Sequence, residues 1–406
     1  MTRSRKAIIA VRPALALLTL TLLVACGASA PSPAAPSPAP ASATPPPSAS
    51  AAHGPAAPVV ARGPAPPADV PAPADAAAPL APPVAVRIGV LSSLSDAGIY
   101  VAAARGYFRD EGLDASLEPF GATPEMTAPL AAGQLDVGAG APTPSLFNAI
   151  SRDIPVKLVA DKGLNSRGHG FNALVVRKDL IDSGRVQTLA DLRGLKVASP
   201  SANSPMELQI ESGLRAFGLD LSALDVVNMP FPDMITALAN GSVDAAALIE
   251  PFVTTAVSRS VGVRFKGADE LYPDQQIAGI LYAPSFYQHQ PEAARRWMVA
   301  YLRGVRDVVA AFDHGRDKAA IVQILSERTT VKDPALYDRM VPPGLDPDGY
   351  LNLASIAADQ DWYERHGLVA ERQPLADFVD YQYLDYAHQR LGRVGPAPDR
   401  TLLRAP

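Results

Sequence analysis

Four short stretches concentrate the side chains that could bind a molecule or react with one. Each lies where an apolar run gives way to a helical pattern. They are Ser92–Gly98 with Ser93, Ser95 and Asp96, Gly138–Ser145 with Thr143 and Ser145, Ser199–Pro205 with Ser199, Ser201, Asn203 and Ser204, and Glu250-Pro251-Phe252. Hydroxyls, a carboxamide and two carboxylates make a hydrogen-bonding set rather than a nucleophile with its base. The sequence contains no Gly-x-x-x-x-Gly-Lys-Ser/Thr phosphate loop, no Gly-x-Ser-x-Gly elbow and no His-Glu-x-x-His zinc helix. The histidines at 53, 169, 289, 314, 366 and 388 show no ligand spacing, and Cys26 is the only cysteine. These absences lower the odds of an enzyme, and no cofactor, no metal and no catalytic residue is expected. A net charge of -5 offers no phosphate-neutralising face, which argues against nucleic acid.

These turns need elements to hold them. Strand-like runs occur at Val86–Leu91, Ala115–Leu117, Leu135–Ala139, Val156–Ala160, Ala173–Arg177, Leu195–Ala198, Val226–Met229, Ala245–Ile249 and Val263–Phe265. Amphipathic stretches such as Ile99–Phe108, Met206–Ala216 and Met234–Asn240 alternate with them. Repeated strand–helix units predict an α/β fold with parallel or mixed sheets, and ligands in such folds collect beyond the strands' carboxyl ends, near helix N-termini. Residues 291–390 read as mostly helical, with Trp297, Met298, Tyr301, Leu302, Val305 and Val309 as one apolar stripe.

The first 25 residues carry a basic leader (Arg3, Arg5, Lys6, Arg12) and an apolar run, Ala14 to Val24, too short to span a bilayer. Leu23-Val24-Ala25-Cys26-Gly27 resembles the lipobox of bacterial lipoproteins, which implies lipidation of Cys26 and an extracytoplasmic chain held at the cell envelope. Residues 26–84 are almost all Ala, Pro and Ser, a composition that forms no core and serves as an extended tether.

Ala97-Gly-Ile-Tyr-Val-Ala-Ala-Ala-Arg-Gly-Tyr-Phe-Arg-Asp-Glu-Gly-Leu-Asp114 resembles the opening of the nitrate, sulfonate, taurine and thiamine-precursor binding proteins of ABC importers. The likeness continues through Ala132–Gly138, Leu189–Ala198, Ala237–Ala246 and Glu250-Pro251. It implies a two-lobed type II periplasmic-binding fold with a helical C-terminal region. Lobe 1 would take 86–174 and 277–390 and lobe 2 would take 178–274, with crossovers near Phe171–Arg177 and Gln275–Leu281; 393–406 would be a frayed tail. The implied partners are a small-molecule ligand, an ABC permease and its ATPase, and the membrane through the lipid, with the protein itself a monomer. A receptor feeding a sensor is the alternative. A thiamine-pyrimidine-synthase-like enzyme is a remoter one, since those enzymes use a cysteine-rich motif and a histidine where Asp96 stands.

Each candidate also has a plain structural role open to it. Ser95 or Asp96 could cap the helix carrying Tyr100, and Ser204 with Glu207 could form a capping box. Glu250 could organise its loop and Asp233 could cap a helix; Tyr100 and Phe171 could stack a planar ligand, but Tyr100 lies on an apolar helix face and could be core. Two carboxylates, Asp96 and Glu250, facing a closed cleft would favour a neutral or cationic ligand of thiamine-precursor type over a sulfonate or nitrate, unless cations or helix N-termini offset them.

Overall fold

The computed structural model describes residues 78–404. The leader, Cys26 and nearly all of the Ala/Pro/Ser-rich stretch lie outside the described residues. Ten strands form two sheets: β1 (Val84–Val90), β2 (Leu113–Pro119), β3 (Val137–Gly140), β4 (Lys157–Leu164), β5 (Asn172–Arg177), β6 (Lys196–Ser199), β7 (Asp225–Asn228), β8 (Ala245–Ile249), β9 (Gly262–Gly267) and β10 (Gln276–Tyr282). The first sheet runs β2-β1-β3-β10-β4 and the second β7-β6-β8-β5-β9. In each, one strand is antiparallel to both its neighbours: β10 between β3 and β4, and β5 between β8 and β9. The inner strands β8 and β10 are buried along their whole length, and apart from Gln276 they lack polar side chains until Tyr282, whereas the edge strand β7 is open to solvent at both ends.

Two lobes follow from this topology. The chain changes sheet between β4 and β5, over residues 165–171, and returns between β9 and β10, over 268–275. The first change comes earlier than the sequence pattern suggested, because Asn172 to Val176 are already paired with Ile249 to Ala245 of β8. Each lobe has its own apolar core, and the larger is built on the first sheet together with the C-terminal helices.

Three local features depart from the sequence expectation. The stretch Ile99–Phe108 is two helices, Ala97–Ala104 and Tyr107–Asp110, because Gly106 takes φ +79° and stops the first. Within residues 291–390, the segment between Met340 and Leu351 contains no helix; it is irregular chain that returns against β4 through Gly344 and Gly349. Lastly, the segment after Gly392 is anchored as far as Arg404. Asp348 accepts from the amides of Val394 and Gly395, and Arg400 pairs with Asp385 while lying over the rings of Tyr350 and Tyr381.

The long helix Pro291–Phe312 holds the larger core together. Trp297, Met298, Tyr301, Leu302 and Val305 are buried along one face, and Val309 only partly. It crosses Ala97–Ala104 so closely that a Cβ on Gly304 would overlap the carbonyl oxygen of Gly98. That crossing fixes the helix whose N-terminus carries Asp96. Among the described residues no helix is long and apolar enough to cross a membrane.

Candidate binding site between the lobes

A cavity of about 50 Å³ lies between the two sheets. Lobe 1 supplies Leu91, Ser95, Thr123, Thr143 and Lys162, and the return strand β10 adds Ile277 and Ala278. Lobe 2 supplies Phe171, Ser201, Ser204, Met206, Phe231 and Ile249. Helix N-termini from both lobes meet there: Pro124–Ala131 and Pro144–Ile150 from the first, Pro205–Arg215 and Phe231–Asn240 from the second. Its volume is well below the roughly 300–1,000 Å³ of drug-sized pockets, so the space suits a small ligand in this arrangement of the lobes.

Of the sequence-selected residues, Ser95, Thr143, Ser201 and Ser204 line this cavity. The others lie outside the lining, some of them directly behind it. Ser93 is fully buried, and its N–H and hydroxyl donate to Asp96 Oδ2 at 2.9 and 3.1 Å. Asp96 Oδ2 also accepts from the Leu91 amide at 3.1 Å. Ser199 donates to the Ser201 carbonyl at 3.1 Å and lies 2.9 Å from Ser204 Oγ. Ser145 holds Thr143 through a 2.8 Å hydroxyl contact. Asn203, at φ +59°, donates its amide to Glu207 and lines a separate open groove. Tyr100 is buried in the lobe 1 core, where burial pushes its hydroxyl pKa far up. Phe171, weighed as a stacking ring, lines the cavity, while Asp233 is exposed in the first turn of Phe231–Asn240.

The sequence reading passed over the one charged side chain that lines the cavity. Lys162, on β4, is fully buried; its ammonium donates to Ser95 Oγ at 2.8 Å and stands 2.8 Å from Asp96 Oδ1. The signal was present as Asp161-Lys162 continuing an apolar strand, a place where charge is expensive unless paired. Asp161 points away from the cavity. It takes hydrogen bonds from Gly163, Gln276 and Asp346, and burial raises its pKa to about 7.

Glu250 closes lobe 2 onto lobe 1. Its carboxylate accepts from the Thr254 amide and hydroxyl, both at 3.0 Å, and from the Val341 amide of lobe 1 at 3.4 Å. Its carbonyl accepts from the Leu94 amide of lobe 1 at 2.9 Å. Burial raises its pKa to about 7, against the opposing effect of those hydrogen bonds. It does not line the cavity. A second bridge joins the lobes where Glu211, in lobe 2, accepts from Trp362 Nε1 of lobe 1 at 2.9 Å. At the crossovers a buried polar chain runs Asn172–Gln209–Gln275–Asp359, and burial raises the Asp359 pKa to about 7.

Two lobes of like strand order, joined by two crossovers around a buried cavity, define a type II periplasmic-binding fold. Residues 94–313 match the NMT1/THI5-like family model, and the chain belongs to that family. A binding protein of Brucella abortus is 27% identical over 231 residues, 56% of this chain and 68% of that one. The alkanesulfonate-binding protein of Xanthomonas axonopodis pv. citri superposes with a TM-score of 0.60 at 18% identity, covering 74% of this chain and 100% of that one. The periplasmic nitrate-binding protein of Synechocystis PCC 6803 superposes at 0.62 and 15%, covering 81% and 94%. A desulfurization enzyme has the same fold, at 0.53 and 13% identity with 76% and 99% covered, so the fold alone does not separate binding from catalysis.

Proposed function

We propose that this chain is the lipid-anchored, extracytoplasmic solute-binding component of an ABC importer, and that it captures a small organic molecule without changing it covalently. The observation that carries this reading is the interlobe cavity, walled by side chains of both lobes. A ligand that touches both walls stabilises the closed arrangement by its differential affinity for it, which is how a two-lobed receptor reports occupancy. The cavity's single lining cation is committed to Ser95 and Asp96, and the rest of the wall is largely apolar, which supports binding over turnover.

The ligand is an uncharged heterocycle or similar small molecule, of the type taken by the thiamine-precursor branch, in preference to a sulfonate or nitrate. The cationic ligand considered from the sequence loses its support, because Asp96 is paired with Lys162 and Glu250 is bonded to Thr254 and Val341. Lipidation of Cys26 and a Pro/Ala/Ser tether would keep the receptor within reach of its permease.

Native mass spectrometry of protein purified from its own host, searched for a co-purifying small molecule, tests the capture role. A thermal-shift panel of vitamin precursors, amines, sulfonates and oxyanions completes the test. If no compound raises the melting temperature of demonstrably folded protein, the reading fails. Incorporation of labelled fatty acid that survives Cys26→Ala would reject the anchor.

A further inference from the structure

Lys162 would make the cavity an anion site if its charge were free, but two independent features weaken that character. The first is the pairing with Asp96, in which both side chains are fully buried and 2.8 Å apart, so the pair presents no net charge. The second is the chemistry of the helix starts around the cavity. Pro124, Pro144 and Pro205 each occupy the first helical position, and Pro232 the second position of Phe231–Asn240. A helix N-terminus attracts an anion through its unpaired N–H groups, and proline has none to offer. Four helices aim at the cavity, and each has lost one of its first amides in this way.

The donor and acceptor pattern of the wall narrows the ligand further. A lysine ammonium has three N–H groups. One goes to Ser95 Oγ and one faces Asp96 Oδ1, and both charged side chains are wholly buried behind the wall. Ser199 gives its hydrogen to the Ser201 carbonyl, so Ser204 donates to Ser199 and keeps only acceptor capacity. Most of the remaining wall is apolar, including Leu91, Phe171, Met206, Phe231, Ile249 and Ile277.

We infer that the cavity, with its apolar wall and the neutral Lys162–Asp96 pair behind it, selects a small uncharged and largely apolar molecule, and that Asp96 is the residue that excludes anions. This rests on the solute-binding reading above and specifies its ligand. A bound anion would leave the buried Lys162–Asp96 cluster with an uncompensated negative charge in an apolar wall. A cation would face the ammonium directly.

Matched probes test it in the full folded chain: cyclopentanone, cyclopentanecarboxylate and cyclopentylammonium, with acetamide, acetate and ethylammonium as a smaller set. Binding is followed through the methyl resonances of Met206, Ile249 and Ile277. In the wild type the uncharged member of a set is expected to bind about tenfold or more tightly than its charged counterparts. Lys162→Met, which leaves Asp96 unpaired, should turn the preference toward the ammonium, and Asp96→Asn, which leaves Lys162 unpaired, should turn it toward the carboxylate. Equal or tighter binding of a carboxylate by the wild type overturns the proposal, as does a folded Asp96→Asn variant that rejects the carboxylate as the wild type does. The wild-type comparison stands even if Asp96→Asn does not fold. If no probe of any charge moves these resonances in a well-dispersed spectrum, the cavity is not a solute site and the underlying reading falls instead.

Discussion

Replacing Glu250 by glutamine should change how the stability of this protein depends on pH, and the size of the change follows from the burial of the carboxyl. Glu250 is buried at the end of β8, and its pKa is raised from 4.5 to about 7, chiefly by desolvation. Between those two values the unfolded chain releases the proton while the folded chain keeps it, so stability falls as pH rises and levels off above about 7. At 1.36 kcal/mol for each unit, the displacement from 4.5 to about 7 is worth about 3 kcal/mol. Asp161 and Asp359, also raised to about 7, act in the same direction and window. A difference between wild type and Glu250→Gln cancels them and isolates Glu250. Glutamine itself should cost about 1–3 kcal/mol at pH 5, since its amide hydrogens face the Thr254 and Val341 donors. Urea unfolding at pH 5, 6, 7 and 8 should show the wild type's advantage over Glu250→Gln shrinking by about 2–3 kcal/mol across the series. A constant difference at all four pH values refutes the account of a buried, proton-retaining Glu250.

Gly304→Ala should lower stability by about 1–3 kcal/mol or more in thermal melts, because the added methyl overlaps the Gly98 carbonyl where two helices cross. Arg306→Ala should release the segment after Gly392 to limited proteolysis and cost about 3–5 kcal/mol, since Arg306 bonds the carbonyls of Pro347, Leu391 and Gly392 and pairs with buried Asp348. Gly106→Ala should cost about 1 kcal/mol by forcing a Cβ into the left-handed region at φ +79°. Only two tryptophans are present in the chain. Trp362 bonds across the lobes to Glu211 while Trp297 lies in the lobe 1 core, so ligand addition should shift emission in Trp297→Phe and leave Trp362→Phe silent.

Strand positions were legible because a strand buried on both faces has a compositional signature that survives without tertiary information. Ala245–Ile249 and Ala173–Arg177 read correctly to within a residue for that reason. The site was legible only as far as the loops. The turns that carry Ser95, Thr143, Ser201 and Ser204 announce themselves by composition, and they converge on one cavity. Lys162 did not announce itself. It lies in a strand, 66 residues along the chain from its partner Asp96, and only the meeting of β4 with the turn after β1 pairs them. The opposite error arose at the C-terminus, where Pro and Arg after Gly392 resemble a loose end. The amide and guanidinium contacts that hold this segment come from Asp348 and Asp385, which nothing local could reveal.

The position of β10 has a consequence for the order in which the molecule can assemble. β10 sits between β3 and β4 in the first sheet, yet it follows the whole of the second sheet in the chain. Lobe 2 is one continuous stretch, β5 to β9, whose pairings all lie within about 100 residues and can form as soon as that stretch exists. Until β10 arrives, β3 and β4 have no partner between them, and β1, β2 and β3 form a sheet with an unpaired edge. A nascent chain therefore holds its larger lobe open, with a bare strand edge exposed, through the synthesis of the whole of lobe 2. Lobe 2 is finished first, and lobe 1 is completed around it.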